Sequence, residues 1–132
     1  MEIPSVIRDL CKSPEVILSR YKGSGVKVVG YTCSYVPEEM IVSAGLQPYR
    51  ISNIGAETSA LTPSVVCPFA SAALDNMLRL EASFSGFVLA HTCDPMWRLY
   101  DILKKKIDKP LLEYIHSHKT GALIAASVYT GG

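Results

Sequence analysis

The residues most able to do chemistry in this sequence are three cysteines, each a short distance before a proline that can open a helix. Thiolates bind zinc and iron–sulfur clusters, and they also act as nucleophiles. Three thiols brought to one place would therefore indicate a metal site or a reactive thiol. The pairs in question are Cys33 with Pro37, Cys67 with Pro68, and Cys93 with Pro95.

The spacing of these cysteines indicates which kinds of thiol site they could form. They are separated by 33 and 25 intervening residues, and no two form a Cys-x-x-Cys pair. Zinc ribbons and disulfide oxidoreductases use such close pairs, so both are disfavoured. An iron–sulfur cluster with ligands from separate loops suits the spacing, and three ligands would leave one iron open to substrate. Free cysteine is also a common buried residue, so core filling stays open for each of them. It is the expected role of Cys11, in the first helix.

The elements that would position these thiols are strands alternating with helices. Such alternation predicts an α/β fold, with a parallel sheet of about four strands flanked by helices in a Rossmann-like layer. A first helix at 4–21, broken near Pro14, precedes it. The predicted strands are 26–32, 46–52, 86–92 and 111–116, the helices between them are 37–44, 67–81 and 94–106, and a polar loop covers 53–64.

The carboxyl edge of such a sheet is where the three cysteines should meet. Cys33 and Cys93 follow predicted strands, and Cys67 precedes a helix that starts at the same edge. Open α/β sheets bind ligands at this edge. The sequence therefore predicts that the three sulfurs share one site, with Cys11 elsewhere.

Length and charge narrow the class of protein. The chain has 132 residues, is 48% hydrophobic and carries a net charge of +1. These values predict one globular domain over 1–132, and they argue against nucleic-acid or membrane-surface binding driven by bulk charge. The sequence also has no apolar run of membrane-spanning length and no signal-peptide pattern. We therefore expect a cytoplasmic protein with reduced thiols.

Three stretches of the sequence resemble a known family. They are YTCSYVPEEMIVSAGLQPYRI, CPFASAALDNML and GFVLAHTCDPMWRLYDILKK. Their order and motifs resemble the start of the 2-hydroxyacyl-CoA dehydratases, a family that includes benzoyl-CoA reductase subunits and double-cubane-cluster proteins. Members are several times longer, so we expect this chain to be the N-terminal part of a longer subunit.

The resemblance implies a cofactor, partners and site residues. The cofactor would be an iron–sulfur cluster, either 4Fe-4S or a double cubane, with Cys67 and Cys93 as ligands. The third ligand would be Cys33 or a residue of a C-terminal domain. Partners would be an acyl-CoA substrate, an ATP-dependent activator protein carrying its own cluster, and a second homologous subunit or a second copy. Glu39 resembles a family glutamate near the thioester, where it could orient substrate or accept a proton; the alternative is a first-turn glutamate that stabilises the helix dipole.

Three functions follow as hypotheses. The first is the cluster-binding portion of a lyase or of an ATP-dependent acyl-CoA reductase subunit. In the lyase, a 2-hydroxyacyl-CoA dehydratase, the reaction would be reductive radical dehydration of an acyl-CoA thioester. The second is a non-catalytic electron-transfer or cluster-carrier module. The third is a plain α/β domain whose thiols fill the core.

Overall fold

The computed structural model describes residues 13–53, 61 and 66–114 of the chain. The first part of the predicted N-terminal helix, Cys11, most of the predicted loop at 53–64 and the segment after 114 lie outside the described residues. The elements in chain order are α1 (Pro14–Gly23), β1 (Val28–Tyr31), α2 (Glu38–Ser43), β2 (Gln47–Arg50), α3 (Pro68–Arg79), a 3-10 turn (Glu81–Ser83), β3 (Gly86–Ala90), α4 (Asp94–Lys106) and β4 (Leu111–Tyr114).

The four strands form one sheet in the order β2-β1-β3-β4. All three neighbouring pairs are parallel. The predicted parallel sheet of four strands, with helices between them and a helix before the first, is therefore confirmed. No helix in the described ranges is both long enough and apolar enough to cross a membrane.

The strand order places helices on both faces of the sheet. The connection from β1 to β2 runs in one direction, and the connections from β2 to β3 and from β3 to β4 run in the other. Because such crossovers are right-handed, α2 lies on one face and α3 and α4 lie on the opposite face. The side chains of β1 and β3 alternate accordingly, as expected for strands covered on both sides.

Two buried clusters fill these two layers. In the larger cluster Val28 and Phe87 of the sheet pack with Leu18 of α1, Leu74 of α3 and Leu99 of α4. The smaller cluster joins Val29, Tyr31 and Val88 to Ile41 of α2. The sheet is thus fixed from both sides, and its carboxyl edge is held in one position relative to the helix starts.

The end of α2 matches the prediction that Gly45 stops this helix. Gly45 has φ +74°, a left-handed conformation that glycine adopts without strain. Its N–H donates to Val42 O at 2.9 Å, and the N–H of Leu46 donates to Ile41 O at 3.2 Å. These two bonds form a Schellman motif, which turns the chain directly into β2.

Three strands are shorter than the sequence predicts: β1, β2 and β3. In β1 and β3 a neighbouring N–H group bonds locally. The N–H of Val26 donates to Tyr21 O at 3.1 Å, so β1 begins only at Val28. The N–H of Thr92 donates to Ala90 O at 3.0 Å, so β3 ends at Ala90. As a result, Cys93 lies in the loop beyond the sheet.

Candidate functional site

Cys33 lies two residues beyond the end of β1 and is half-buried. Its side chain packs against the smaller buried cluster, on the α2 face. Its carbonyl oxygen accepts a hydrogen bond from the Val36 N–H at 3.0 Å, which closes a turn before Pro37. Cys33 therefore has both a packing contact and partial access to solvent at the edge of the sheet.

Cys67 is the N-cap residue of α3 and is exposed. Its Sγ atom accepts a hydrogen bond from the Ala70 N–H at 3.4 Å. Pro68 occupies the first helical position, where its missing N–H costs nothing. The sulfur is thus held at the start of α3, on the solvent side.

Cys93 is the N-cap residue of α4 and is also exposed. Its carbonyl oxygen accepts a hydrogen bond from the Met96 N–H at 3.0 Å, and its side chain makes no capping bond. The thiol is therefore free to bind a ligand.

The strand order brings two of these cysteines to the point where the sheet reverses direction. β1 and β3 are hydrogen-bonded neighbours, and their connections leave in opposite directions. The crevice at such a reversal is the usual ligand site of open α/β sheets. Cys33 and Cys93 follow these two strands, and Cys67 opens the helix that begins at the same edge.

The donor set fits a thiolate-ligated cluster in its chemistry, because all three cysteines are free and two are exposed. In the described ranges, however, no three His, Cys, Asp or Glu side chains form a group that could hold a metal ion. The three cysteines therefore lie after strands or at a helix start on one edge of the sheet, but the described side chains do not form a metal site there.

Glu39 is exposed in the first turn of α2. It lines a polar cavity of about 350 Å³ at the carboxyl ends of β1 and β2. In the same cavity the Tyr31 hydroxyl donates a hydrogen bond to the Glu38 carboxylate. Glu38 thus has a partner, whereas Glu39 makes no hydrogen bond or ion pair with the described residues.

Arg50 also lines this cavity, and sequence reasoning missed it. It is the last residue of β2, and its Cα pairs with that of Tyr31 in the β1–β2 register. The available signal was a charged residue near the carboxyl end of the predicted strand 46–52.

His91 packs the end of β3 against α4, two residues before Cys93. Its ring centroid lies 4.0 Å from that of Trp97 and 5.4 Å from that of Tyr100. Its Nδ1 atom is 2.8 Å from Glu113 Oε1, an ion-pair distance, although neither ring nitrogen has a partner in good hydrogen-bond geometry. These ring contacts help to fix where the chain leaves the sheet toward Cys93.

A second cavity is apolar and lies on the α2 face. It has a volume of about 490 Å³ and is lined by Val29, Ile41, Val88, Leu112 and Tyr114, among others. The short helix α2 covers only part of this sheet face, and Leu112 is 63% exposed. The cavity contains no cysteine and is separate in character from the polar cavity around Glu39.

Comparison with curated proteins gives two relatives. The chain is 27% identical over 94 residues to the (R)-phenyllactyl-CoA dehydratase beta subunit of Clostridium sporogenes, covering 67% of this chain and 25% of that protein. It is 27% identical over 118 residues to the (R)-2-hydroxyglutaryl-CoA dehydratase beta subunit of Acidaminococcus fermentans, covering 80% of this chain and 31% of that protein. The aligned part of the chain thus corresponds to about a quarter to a third of each relative.

The family comparison covers most of the chain. The sequence profile described as "2-hydroxyglutaryl-CoA dehydratase, D-component" matches residues 33–125. That range includes Cys33, Cys67, Cys93 and Glu39, and it contains β2, β3 and β4 of the parallel sheet, whereas β1 precedes it. The chain therefore belongs to the 2-hydroxyglutaryl-CoA dehydratase D-component family.

Proposed function

We propose that this chain is the cluster-binding portion of a 2-hydroxyacyl-CoA dehydratase subunit. The observation that carries the proposal is the position of Cys33, Cys67 and Cys93. All three are free, lie at the carboxyl edge of one parallel sheet, and fall inside the range that matches the family. Ligands from separate loops at a sheet edge are the arrangement that a cluster without Cys-x-x-Cys pairs requires.

In this proposal the three thiolates hold an iron–sulfur cluster, as a 4Fe-4S or a double-cubane centre. When bound, the cluster supplies a low-potential electron to the thioester of an acyl-CoA substrate. The protein contributes the position of the thiols at a sheet edge where α2, α3 and α4 begin. The electron would come from an ATP-dependent activator with its own cluster, and the working unit would include a second subunit, in keeping with relatives that are named as beta subunits.

Glu39 is the proposed catalytic residue. Loss of water from a 2-hydroxyacyl group removes the hydroxyl from carbon 2 and a hydrogen from carbon 3, so it needs a group that orients the hydroxyl or accepts the proton. Glu39 lines a polar cavity and makes no bond to the described residues that would occupy its carboxylate. Glu38 is less suited, because it already accepts the Tyr31 hydroxyl.

Anaerobic reconstitution tests the cluster separately from the reaction. The chain is loaded with iron and sulfide, and its iron content and visible absorbance are measured before any assay. We expect bound iron with charge-transfer absorbance. Colourless protein without stoichiometric iron would instead support a plain α/β domain whose thiols bind no metal.

The second test is turnover. The loaded protein, an ATP-hydrolysing activator and the second subunit of a dehydratase are incubated with a 2-hydroxyacyl-CoA, and formation of the enoyl-CoA is followed. We expect dehydration that depends on ATP. ATP-dependent reduction of an aromatic acyl-CoA in its place would assign the chain to the reductase branch.

The second candidate function is an electron-transfer or cluster-carrier module of the same family. The three free cysteines would serve this function as well, because it needs cluster binding without acyl-CoA chemistry. A stable cluster that exchanges electrons with the activator, without any turnover of acyl-CoA, would select this function.

A further inference from the structure

The polar cavity beside α2 contains the positively charged side chain of Arg50, which has no role in the proposed function. Its polar lining comes from Tyr31, Ser34, Tyr35, Glu38, Glu39 and Arg50. The guanidinium of Arg50 makes no hydrogen bond or ion pair with any described residue, although two carboxylates line the same cavity. Arg50 is therefore available to a ligand.

Arg50 and Glu39, which have no side-chain partner among the described residues, bind different kinds of ligand group. Arg50 is a donor-only cation whose planar guanidinium matches carboxylate and phosphate oxygens. Glu39 as a carboxylate accepts hydrogen bonds only, and it suits a hydroxyl. A simple anion would be repelled by the carboxylates and a simple cation by Arg50. A ligand with a hydroxyl at one point and an anionic group at another satisfies both.

The backbone fixes the relative position of these groups. Arg50 is the register partner of Tyr31 in the parallel pair β1–β2, so their side chains leave the sheet on the same face. Tyr31 is buried, and its hydroxyl is bonded to Glu38 at the start of α2. The floor of the cavity is thus rigid, and Arg50 lies at its exposed rim.

We propose that Arg50 binds an anionic oxygen group of the acyl-CoA substrate and thereby directs the 2-hydroxyl toward Glu39. This inference rests on the proposed function, because it takes an acyl-CoA as the ligand. The anionic group is either a carboxylate at the end of the acyl chain or a phosphate of coenzyme A. Both present the paired oxygens that a guanidinium binds.

Equilibrium binding of CoA compounds tests this inference without a cluster, an activator or turnover. The full chain is titrated with glutaryl-CoA, butyryl-CoA and 3′-dephospho-CoA esters of the same acids. These probes differ in the acyl carboxylate and in one phosphate. Arg50→Gln removes the charge, Arg50→Lys keeps it without the planar fork, and Arg20→Gln on α1 is the matched control. Arg50 is exposed, so the unfolding curve of each variant should coincide with that of the unmodified chain.

The expected result is a loss of affinity of about tenfold or more on Arg50→Gln, with partial recovery in Arg50→Lys and no change in Arg20→Gln. A loss confined to glutaryl-CoA assigns the acyl carboxylate. An equal loss for both acids that disappears in the dephospho esters assigns the phosphate. Affinities of Arg50→Gln within about twofold of the unmodified chain for every probe would overturn the inference, and so would a chain that binds none of them. Neither result bears on the cluster, which the iron content decides.

Discussion

The hydroxyl of Thr32 donates a hydrogen bond to the Sδ atom of Met96, at 3.6 Å, between the loop after β1 and the first turn of α4. Both residues are buried. Thr32 directly precedes Cys33, and Met96 follows Cys93 by three residues. The contact therefore ties together the two segments that carry these cysteines, at the point where the sheet reverses direction.

Single cysteine substitutions should distinguish the cysteines that bind the cluster from those that only fill space. We expect Cys67→Ala and Cys93→Ala to lose the cluster, because both thiols are exposed and free at the edge of the sheet. Cys33→Ala should lose the cluster or shorten its lifetime, since its side chain also contacts the smaller core cluster. Iron content and visible absorbance after anaerobic reconstitution provide the measurement.

The control for this series is Cys11→Ala, because the sequence predicts Cys11 within the first helix and away from the strand ends. It should retain full iron content. If Cys33→Ala keeps both full iron content and full cluster lifetime, with and without the remaining domain of a family subunit attached, then Cys33 only fills space.

Glu39→Gln should slow dehydration without affecting the cluster. A positioned acid or base contributes on the order of 100-fold to 10,000-fold to a rate, so we expect a loss of at least about 100-fold. Glu81→Gln, in the 3-10 turn before β3, is the matched control and should retain the rate of the unmodified protein. Unchanged turnover in Glu39→Gln would leave this glutamate with a role in the helix dipole alone.

Gly30→Ala should destabilise the fold. Gly30 lies in the centre of β1, and an added Cβ would stand 2.8 Å from Ile51 Cδ1 and 2.8 Å from Phe87 Cδ1. Overpacking of this kind lowers the free energy of unfolding by about 1–3 kcal/mol. Gly23→Ala is the control, since nothing lies within 4 Å of its added Cβ. Chemical denaturation of both variants gives the comparison, and equal midpoints would contradict the tight contact at Gly30.

Stability should fall at alkaline pH through Tyr49. Burial raises the pKa of the Tyr49 phenol above its ordinary value, and Tyr21 raises it further. The unfolded chain then ionises Tyr49 at lower pH than the folded chain does. The contribution of the neutral Tyr49 phenol to the free energy of unfolding is therefore fully present below pH 10.0. It is lost as the pH rises from there through the higher pKa of the folded state.

The measurement is the free energy of unfolding from pH 8 to 11, as a difference between the unmodified chain and Tyr49→Phe. Taking this difference cancels the contributions of the titrating groups that both proteins share. We expect the curve of the unmodified chain to fall more steeply above about pH 10. Parallel curves over the whole range would show that Tyr49 titrates alike in the folded and unfolded states.

The order of the elements and the parallel sheet could be predicted from the sequence, because both depend on local patterns. Runs such as 86–92 are apolar throughout, and Pro37, Pro68 and Pro95 mark helix starts within a few residues. Strand lengths were less predictable: β1 and β3 are shorter than expected because Val26 and Thr92 bond to nearby carbonyls.

The sequence alone predicted that Cys33 and Cys93 follow strands and that Cys67 opens a helix, and the family resemblance pointed to Glu39. Only the tertiary structure decided that β1 neighbours β3, which places Cys33 and Cys93 on either side of the reversal point. It also decided that Arg50 pairs with Tyr31 and lines the cavity of Glu39. The physical reason is range: caps, prolines and apolar runs act over a few residues, whereas strand order and register come from packing between segments far apart in the chain.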